Sequence, residues 1–230
     1  MQPYIYPYIG YFQLINSVDK FVVLDDVNYI NKGWINRNAI LINGQANLFT
    51  LPLKEASQNK KINDIELLDD QKWKVKLIKT IEQNYKKSPC FEKVFPLIEQ
   101  ALNTNENNVS RFNVIQLKMV CDYLEIKTEI IPTSSSFKLH ELTGQSRIIN
   151  ICKELNAKIY INPIGGVSLY DQTNFEKSSL ELFFLKSDMI NYNQFKNDFT
   201  PWLSIIDIMM FNPKELILDF LEKYTLLSNG

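Results

Sequence analysis

The sequence predicts an α/β fold in which an open, mostly parallel sheet is flanked by helices. In the final part of the chain, short apolar runs of strand-forming residues alternate with amphipathic helical segments. Three successive helical stripes fill residues 68–124, which we interpret as a helical insertion within a single domain of residues 1–230. The chain is 45% hydrophobic and 22% charged, which is typical of a globular domain with a sizeable core.

The first elements are a helix that begins after Tyr8-Ile9-Gly10 and a short apolar strand at 20–25. The Asn43-Gly44 dipeptide lies between two apolar runs and predicts a β-hairpin over 34–53. The stripes of the insertion predict helices over 69–86, over 90–103, and from a cap at Asn108 or Ser110 to Tyr123. The predicted solvated face of the first of these helices carries Lys72, Lys74, Lys76 and Lys79.

Strands and helices alternate again after this region. The predicted strands cover 128–133, 158–162 and 180–185. The predicted helices run over 145–155, from Pro201 through 210, and from Asn212-Pro213 to about Lys223.

Composition excludes several classes of protein. The net charge of −1 gives no basic footprint for dedicated nucleic-acid binding. There is no apolar run of about 18 residues and no charged segment leading into an apolar one, so neither a transmembrane helix nor a signal peptide is expected. The cysteines at 90, 121 and 152 form no Cys-x-x-Cys pair. Cys121 and Cys152 lie in helical apolar patterns, which predicts that these two are core thiols and that the protein is cytoplasmic. With one histidine, His140, no structural metal is expected, and no cofactor can be identified.

Polar or glycine-bearing segments follow the predicted strands. They are Tyr4–Gly10 after a potential first strand, Asp25-Asp26, Ser134–Ser136, and Asn162–Gly166. Ligands of open α/β sheets bind outside the carboxyl ends of the strands. We therefore expect these segments to form one site for a small-molecule substrate.

The opening segment is unusually rich in aromatic rings. Rigid rings with hydroxyl groups can stack on a ligand ring and bind its polar groups. The substrate-binding candidates of this segment are Gln2, Tyr4, Tyr6, Tyr8, Gly10 and Tyr11. The alternative is an extended arm packed on the core.

The catalytic candidates are Asp25, Asp26 and His140. Either aspartate could deprotonate or orient an amine, although an Asp pair at a strand end is also a common turn or capping feature. Ser134, Ser135 and Ser136 could bind a polar edge of the substrate, and His140 is the one imidazole that could serve a serine nucleophile. Because the Gly-x-Ser-x-Gly elbow is absent, we do not expect a hydrolase triad.

Further substrate-binding candidates lie in two segments and on one helix. The segment before the hairpin contains two cations, an aromatic ring and two amides, which suit the diphosphate of a nucleotide-activated sugar. Its candidates are Lys32, Trp34, Asn36, Arg37 and Asn38. The later candidates are Arg147, Asn162, Gly165, Gly166 and Tyr170. The paired glycines could expose N–H groups to an oxyanion, or form a simple turn.

Arg37 and Lys32 also have a structural interpretation, in which one of them pairs with a buried acid. Asp207 lies in an apolar helical segment, and a buried acid usually needs a partner. Arg37 or Lys32 is the expected partner, in which case the cation would stabilise the fold rather than bind a phosphate.

Long stretches of the chain resemble the WbqC-like protein family. They are QPYIYPYIGYFQLI (2–15), DKFVVLDDVNYINKGWINRN (19–38), FTLPLK (49–54), SRIINICKELNAKIYINPIGG (146–166) and FTPWLSIIDIMMF (199–211). The resemblance implies a place in bacterial surface-polysaccharide (O-antigen) synthesis and a transfer of glycine or a similar amino acid to a sugar. Relatives usually carry a few apolar residues before the Gln-Pro motif that do not precede it here, so the resemblance leaves the length of a first strand open.

The first turn and helix also look similar to the nucleotidyltransferase branch of the HUP superfamily. That branch binds phosphates at a Gly-His turn, where this chain has Gly10-Tyr11.

Two hypotheses for the function follow. The first is a transferase that moves an aminoacyl or related acyl group to an amino sugar, free or nucleotide-linked. The second is a non-catalytic protein of the same pathway that binds nucleotide sugars or assists assembly, which the missing histidine favours.

Overall fold

The computed structural model describes residues 1–196 and 198–228, and its helices and strands confirm the α/β class. The helices are α1 (Ile9–Asn16), α2 (Lys72–Tyr85), α3 (Phe91–Leu102), α4 (Val109–Tyr123), α5 (Gly144–Glu154), α6 (Gln172–Glu176), α7 (Ile205–Phe211) and α8 (Lys214–Leu221). The strands are β1 (Lys20–Val22), β2 (Arg37–Ile42), β3 (Gln45–Thr50), β4 (Leu53–Lys54), β5 (Glu66–Leu67), β6 (Glu129–Ile131), β7 (Ile159–Pro163), β8 (Glu181–Ser187) and β9 (Tyr224–Leu227).

The strands of the described residues form four small sheets instead of one. β1 pairs in parallel with β6, and β7 pairs in parallel with β8, to which β9 adds an antiparallel edge. A groove of about 540 Å³ lies between β1 and β7. Because this groove separates the two parallel pairs, the predicted continuous sheet is not confirmed. Residues 1–8 form no strand, so the potential first strand is absent from them.

The predicted hairpin is confirmed. β2 and β3 pair in register from Arg37 with Thr50 to Ile42 with Gln45. The connecting Asn43 and Gly44 have φ values of 51° and 77°. Two successive left-handed residues match the right-handed twist of the flanking strands, which explains the Asn-Gly signal.

The three predicted helical stripes form α2, α3 and α4. Asn108 caps α4, since its side-chain oxygen accepts the Arg111 N–H at 3.1 Å. One expectation for α2 is wrong, because Lys74 is buried instead of solvated. Its Nζ donates to the Thr104 carbonyl at 2.6 Å, and burial lowers the pKa of this lysine. The stem of a lysine can cover apolar surface while its head finds a polar partner.

The last part of the chain departs from prediction at one boundary. α7 begins at Ile205 rather than at Pro201, with the Ser204 hydroxyl accepting the Ile206 N–H at 3.3 Å. Trp202 has a φ of 61°, which is incompatible with a right-handed helix through Pro201. The elements β4, β5, α6 and β9 were not predicted, because they are too short to carry a periodic pattern.

Among the described residues, the buried apolar side chains form two clusters. The larger one joins the N-terminal segment, the hairpin and the helices α1, α2, α3, α4, α7 and α8. The smaller one contains Ile149, Cys152, Phe175, Leu180, Leu182 and Phe184. Cys121 and Cys152 are free and buried, and burial raises their pKa values to about 12 and about 11. Both are therefore core thiols, as predicted.

Candidate functional site

Two carboxylates and a serine turn meet at the carboxyl ends of β1 and β6. The parallel register places Val22 opposite Ile131, so the residues after each strand emerge at the same edge. Asp25 and Asp26 follow β1, and Ser134 follows β6. Hydrogen bonds join all three side chains, which agrees with the placement expected from the strand ends.

Asp25 is a buried junction of the fold, with 3% of its surface exposed. Its Oδ1 accepts the Thr133 hydroxyl at 2.8 Å and the Ser134 N–H at 3.1 Å. Its Oδ2 accepts the Ser110 hydroxyl at 2.9 Å. Since Ser110 lies in the first turn of α4, this carboxylate ties β1 to α4 and to the turn after β6. A buried carboxylate with three strong donors holds a fixed position.

Asp26 is the second buried carboxylate, and α5 supplies its cation. Its Oδ1 accepts the Ser134 hydroxyl, and its Oδ2 accepts an N–H from Arg147. Burial alone would raise the pKa of Asp26, but the hydrogen bonds from Arg147 and Ser134 and the Arg147 charge outweigh burial and lower this pKa. Asp26 is therefore an anion at neutral pH.

His140 stands at the open side of this ion pair. Its Nδ1 lies 3.4 Å from Asp26 Oδ2, and 52% of its side chain is exposed. Arg147 Nε is buried and has no hydrogen-bond partner among the described residues. The cluster thus combines a fixed carboxylate, a solvent-facing imidazole and an unused cationic N–H donor.

This arrangement suits proton transfer rather than attack by a serine. The Ser134 hydroxyl is fully buried and already donates to Asp26. An imidazole that contacts a carboxylate through one nitrogen can exchange a proton at its other nitrogen. The site can therefore activate a nucleophile that the substrate itself brings.

The N-terminal tyrosines separate into two groups. Tyr6 and Tyr11 belong to the core, where the Tyr6 hydroxyl donates to Gln116 and the Tyr11 hydroxyl donates to the Gln2 carbonyl at 2.7 Å. Burial accounts for this part of the segment, as the packed-arm alternative expects. Tyr4 is partly buried and packs its ring 5.7 Å from that of Tyr11.

Tyr8 lies apart from that group, at the start of α1. Its ring centroid is 6.1 Å from that of Trp202, with the planes inclined at 67°. A Cβ atom on Gly10 would overlap the Tyr8 ring. Gly10 therefore allows Tyr8 to lie against the first turn of the helix.

The segment before the hairpin is used largely for folding. Asn36 and Asn38 are buried and donate to backbone carbonyls, Asn36 to Leu51 at 2.8 Å. Arg37 donates to the carbonyls of Lys32 and Gly33. Its guanidinium carbon also lies 5.5 Å from the centre of the Trp34 ring. Lys32 and Trp34 are exposed, so these two side chains are the accessible members of the predicted diphosphate site.

The expected pairing of Asp207 with Arg37 or Lys32 is wrong. Asp207 is fully buried, and three neutral donors satisfy it: Tyr85 at 2.8 Å, Tyr192 at 2.6 Å and Gln194 at 2.7 Å. Burial raises the pKa of Asp207, although these hydrogen bonds oppose the rise. The acid therefore belongs to the core and is satisfied without a salt bridge.

Strand β7 and the segment after it form a separate local cluster. The Tyr160 hydroxyl lies 3.2 Å from both Asn162 Oδ1 and the Tyr170 hydroxyl. A Cβ atom on Gly166 would overlap the Asn162 amide, whereas Gly165 faces open space. Gly166 is thus explained by the close approach of Asn162 within the chain.

The remaining serines of the turn after β6 differ in their accessibility. Ser135 Oγ accepts an N–H of Asn63 at 3.0 Å, and the exposed Ser136 donates to the Thr133 carbonyl at 2.9 Å. Sequence reasoning missed Thr133 and considered Ser110 only as a cap. The strand-end position was a signal for Thr133, but the contact of Ser110 depends on how α4 packs.

A family model covers almost the whole chain. The model of the WbqC-like protein family matches residues 2–218. The chain belongs to this family. A relative from Mycobacterium tuberculosis, named uncharacterized protein Rv1507c, is 28% identical over 220 residues, which are 94% of this chain and 93% of the relative. No solved structure matches. The WbqC-like match includes Asp25, Asp26, His140 and Arg147.

Within residues 1–196 and 198–228, no group of three or more histidine, cysteine, aspartate or glutamate side chains could hold a metal ion. None of the helices that these residues form has the length and apolar character needed to cross a membrane.

Proposed function

We propose that this WbqC-like protein transfers an aminoacyl group, such as glycyl, or a related acyl group to the amine of an amino sugar. The acceptor is a free or nucleotide-linked amino sugar of bacterial surface-polysaccharide synthesis. The observation that carries the proposal is the approach of His140 Nδ1 to Asp26 Oδ2 at 3.4 Å. It supports a proton acceptor next to a fixed anion, which an attacking amine requires.

The reaction joins the acceptor nitrogen to the acyl carbonyl carbon and breaks the bond between that carbon and its leaving group. The amine loses a proton as it attacks, and His140 Nε2 accepts that proton. The anionic Asp26 stabilises the resulting imidazolium. His140 then gives the proton to the leaving group, which restores the starting state of the site.

Arg147 supplies the counter-charge in this scheme. One of its terminal nitrogens holds Asp26, while its buried Nε–H lacks a partner in the described part of the chain. Because this nitrogen has no surface open to a substrate, we assign the carbonyl oxygen, where negative charge develops during the attack, to the N–H groups of Gly165 and Gly166. Asp25 positions the cluster, because three donors already occupy its oxygens.

A nucleotide on the acceptor would bring a diphosphate. The exposure of Lys32 and Trp34 supports contacts to this group and to a flat base. We retain three further proposals: a HUP-like architecture, a helical insertion over 68–124, and cytoplasmic residence. The helices α2, α3 and α4 support the second, and the free cysteines support the third.

The alternative is a non-catalytic nucleotide-sugar binding or assembly protein of the same pathway. One observation favours it. Gly10-Tyr11 stands at the turn where the similar nucleotidyltransferases carry Gly-His, and the Tyr11 ring is buried. The first turn therefore lacks the imidazole that adenylyl transfer by that mechanism requires.

A two-step experiment separates the two functions. A melting-temperature screen with nucleotide sugars identifies a bound acceptor, and mass spectrometry then follows that acceptor with aminoacyl donors. The proposal expects a mass increase of one aminoacyl group with the parent protein. It expects a strong loss of rate in His140→Gln and in Asp26→Asn, with binding retained in His140→Gln.

The exposed carboxylate next to His140 in sequence provides the control. Glu141→Gln changes a charge on the same turn and should keep the parent rate. Binding with no mass change across the donors would favour the non-catalytic alternative. A His140→Gln variant that transfers at the parent rate would remove the proton-transfer role.

A further inference from the structure

Trp202 combines two features that do not stabilise a fold. Its side chain is largely in solvent, with 63% of the residue exposed. Its backbone φ of 61° lies in the left-handed region, which costs free energy for a bulky L-residue. Strained residues of this kind persist where the surrounding structure holds them, and they cluster at functional sites.

Hydrogen bonds on both sides of Trp202 in sequence fix its backbone conformation. Gln194 clamps Thr200 in both directions: its Oε1 accepts the Thr200 N–H at 2.7 Å, and its Nε2 donates to the Thr200 carbonyl at 3.1 Å. On the other side, the Ser204 N–H donates to the Ala39 carbonyl at 2.9 Å. The residues between these anchors have little freedom, so Trp202 is held outward.

Tyr8 supports the indole from one side only. The two rings meet at an angle of 67°, so together they offer one flat face rather than an enclosing cage. Gly10 makes this possible because a Cβ atom there would push the Tyr8 ring away. Two of the stretches that carry the family resemblance, 2–15 and 199–211, therefore meet in this contact.

Most of the residues that line the depression beside Trp202 are apolar or aromatic. The residues after β8 contribute Asp188 and the exposed Met189. Of the described residues that line the depression, Asp188 alone carries a charge. Without a cation in this lining, a phosphate or another anion would be poorly matched. Groups that donate hydrogen bonds to a carboxylate fit better.

We propose that Trp202, Tyr8 and Asp188 form a binding site for the ring of a neutral sugar. A pyranose has a face of C–H groups, which suits the open indole, and hydroxyl groups around its edge, which can donate to Asp188. The site contains neither Asp26 nor His140. It rests on the geometry of this depression, and its test needs no catalytic turnover.

Saturation-transfer NMR with methyl glucoside measures this binding directly. The ring protons of methyl glucoside should receive saturation from the parent protein. Trp202→Ala should weaken binding roughly tenfold or more, since the stacking face is lost. Trp202→Phe keeps a smaller flat face and should retain part of the affinity. Asp188→Asn should weaken binding by a few-fold, because a neutral amide accepts hydrogen bonds less strongly.

Leu48→Ala is the control, because Leu48 is also a large exposed apolar residue, at 61%, but lies on β3 outside the depression. It should bind methyl glucoside as the parent does. Three results would overturn the proposal: no saturation with the parent, equal affinity in Trp202→Ala, or binding of tetramethylammonium without binding of methyl glucoside. Loss of the sugar in Asp26→Asn, with Trp202→Ala unaffected, would instead move the sugar to the Asp26 cluster.

Discussion

Ser134 hydrogen-bonds Asp25 and Asp26 at once: its backbone N–H donates to the first carboxylate and its hydroxyl donates to the second. Neighbouring carboxylates after the end of one strand would otherwise repel each other. A single residue of the turn after β6 thus sets the position of both acids. Asp25 and Ser134 are 109 residues apart in sequence. The site therefore depends on the contact between two strand ends that are distant along the chain.

Ser134→Ala should lower the free energy of unfolding by about 1–3 kcal/mol, because a buried Asp26 oxygen loses its donor. The backbone N–H to Asp25 remains, so the variant should still fold. Urea unfolding at neutral pH measures the change. The exposed Ser136→Ala is the control and should stay within about 0.5 kcal/mol of the parent. Equal stability of both variants would contradict the prediction.

Acid should weaken the fold through Asp26. Its folded-state pKa is lowered, so its contribution to stability is present above the unfolded-state pKa and is lost as the pH falls through the folded-state pKa. The parent should therefore lose stability as the pH drops below about 4. Asp26→Asn should be less stable than the parent at pH 7 and should show a flatter pH curve. Parallel curves for the two proteins would disprove the coupling.

The glycine pair after β7 should respond unequally to alanine. Gly166→Ala places a Cβ atom against the Asn162 amide and should cost about 1–3 kcal/mol, as overpacking does. Gly165→Ala meets open space and should be neutral or slightly stabilising. Thermal unfolding of both variants checks this difference. A Gly166→Ala variant of unchanged stability that loses substrate affinity would favour the ligand-cradle role instead.

Tyr85→Phe should destabilise the core more than Tyr192→Phe. The Tyr85 hydroxyl accepts the Leu41 N–H at 2.8 Å and donates to Asp207 at 2.8 Å, so its removal leaves two buried groups unsatisfied. The expected loss is about 1–3 kcal/mol. Tyr192 shares its Asp207 oxygen with Gln194, which remains after the change. Chemical denaturation of both variants measures the difference, and equal losses would argue against this account.

Asp207 gives a pH effect on stability of opposite sign to that of Asp26. The pKa of Asp207 is raised in the folded state, mainly by burial. Its contribution to stability is therefore full below the unfolded-state pKa and declines as the pH rises through the folded-state pKa. Acid titration of the parent thus combines a loss at Asp26 with a gain at Asp207, and single variants are needed to separate them.

The sequence was informative where a local pattern determines structure. Asn43-Gly44 predicted the hairpin because both residues tolerate a left-handed conformation. Apolar periodicity predicted α2, α3 and α4 because each helix buries one stripe against the core. The strand-end argument predicted the meeting of Asp25, Asp26 and the serine turn. It needed only the parallel pairing of two strands, which is present.

Contacts between distant segments were not accessible in this way. The partners of Asp207 come from residues 85, 192 and 194, and two of them are neutral tyrosines that no charge pattern reveals. Lys74 is buried although it lies in a row of lysines, because its carbonyl partner follows α3. The single predicted sheet failed for a similar reason, since pairing across β1 and β7 depends on tertiary packing.

The ion pair of Asp26 and Arg147 spans the two apolar clusters. Asp26 follows β1, which packs in the larger cluster, whereas Arg147 precedes Ile149 on the helix that anchors the smaller one. The carboxylate and the cation of the site therefore come from segments that pack in different clusters. The position of the guanidinium at Asp26 depends on the packing of the smaller cluster as well as on that of the larger one.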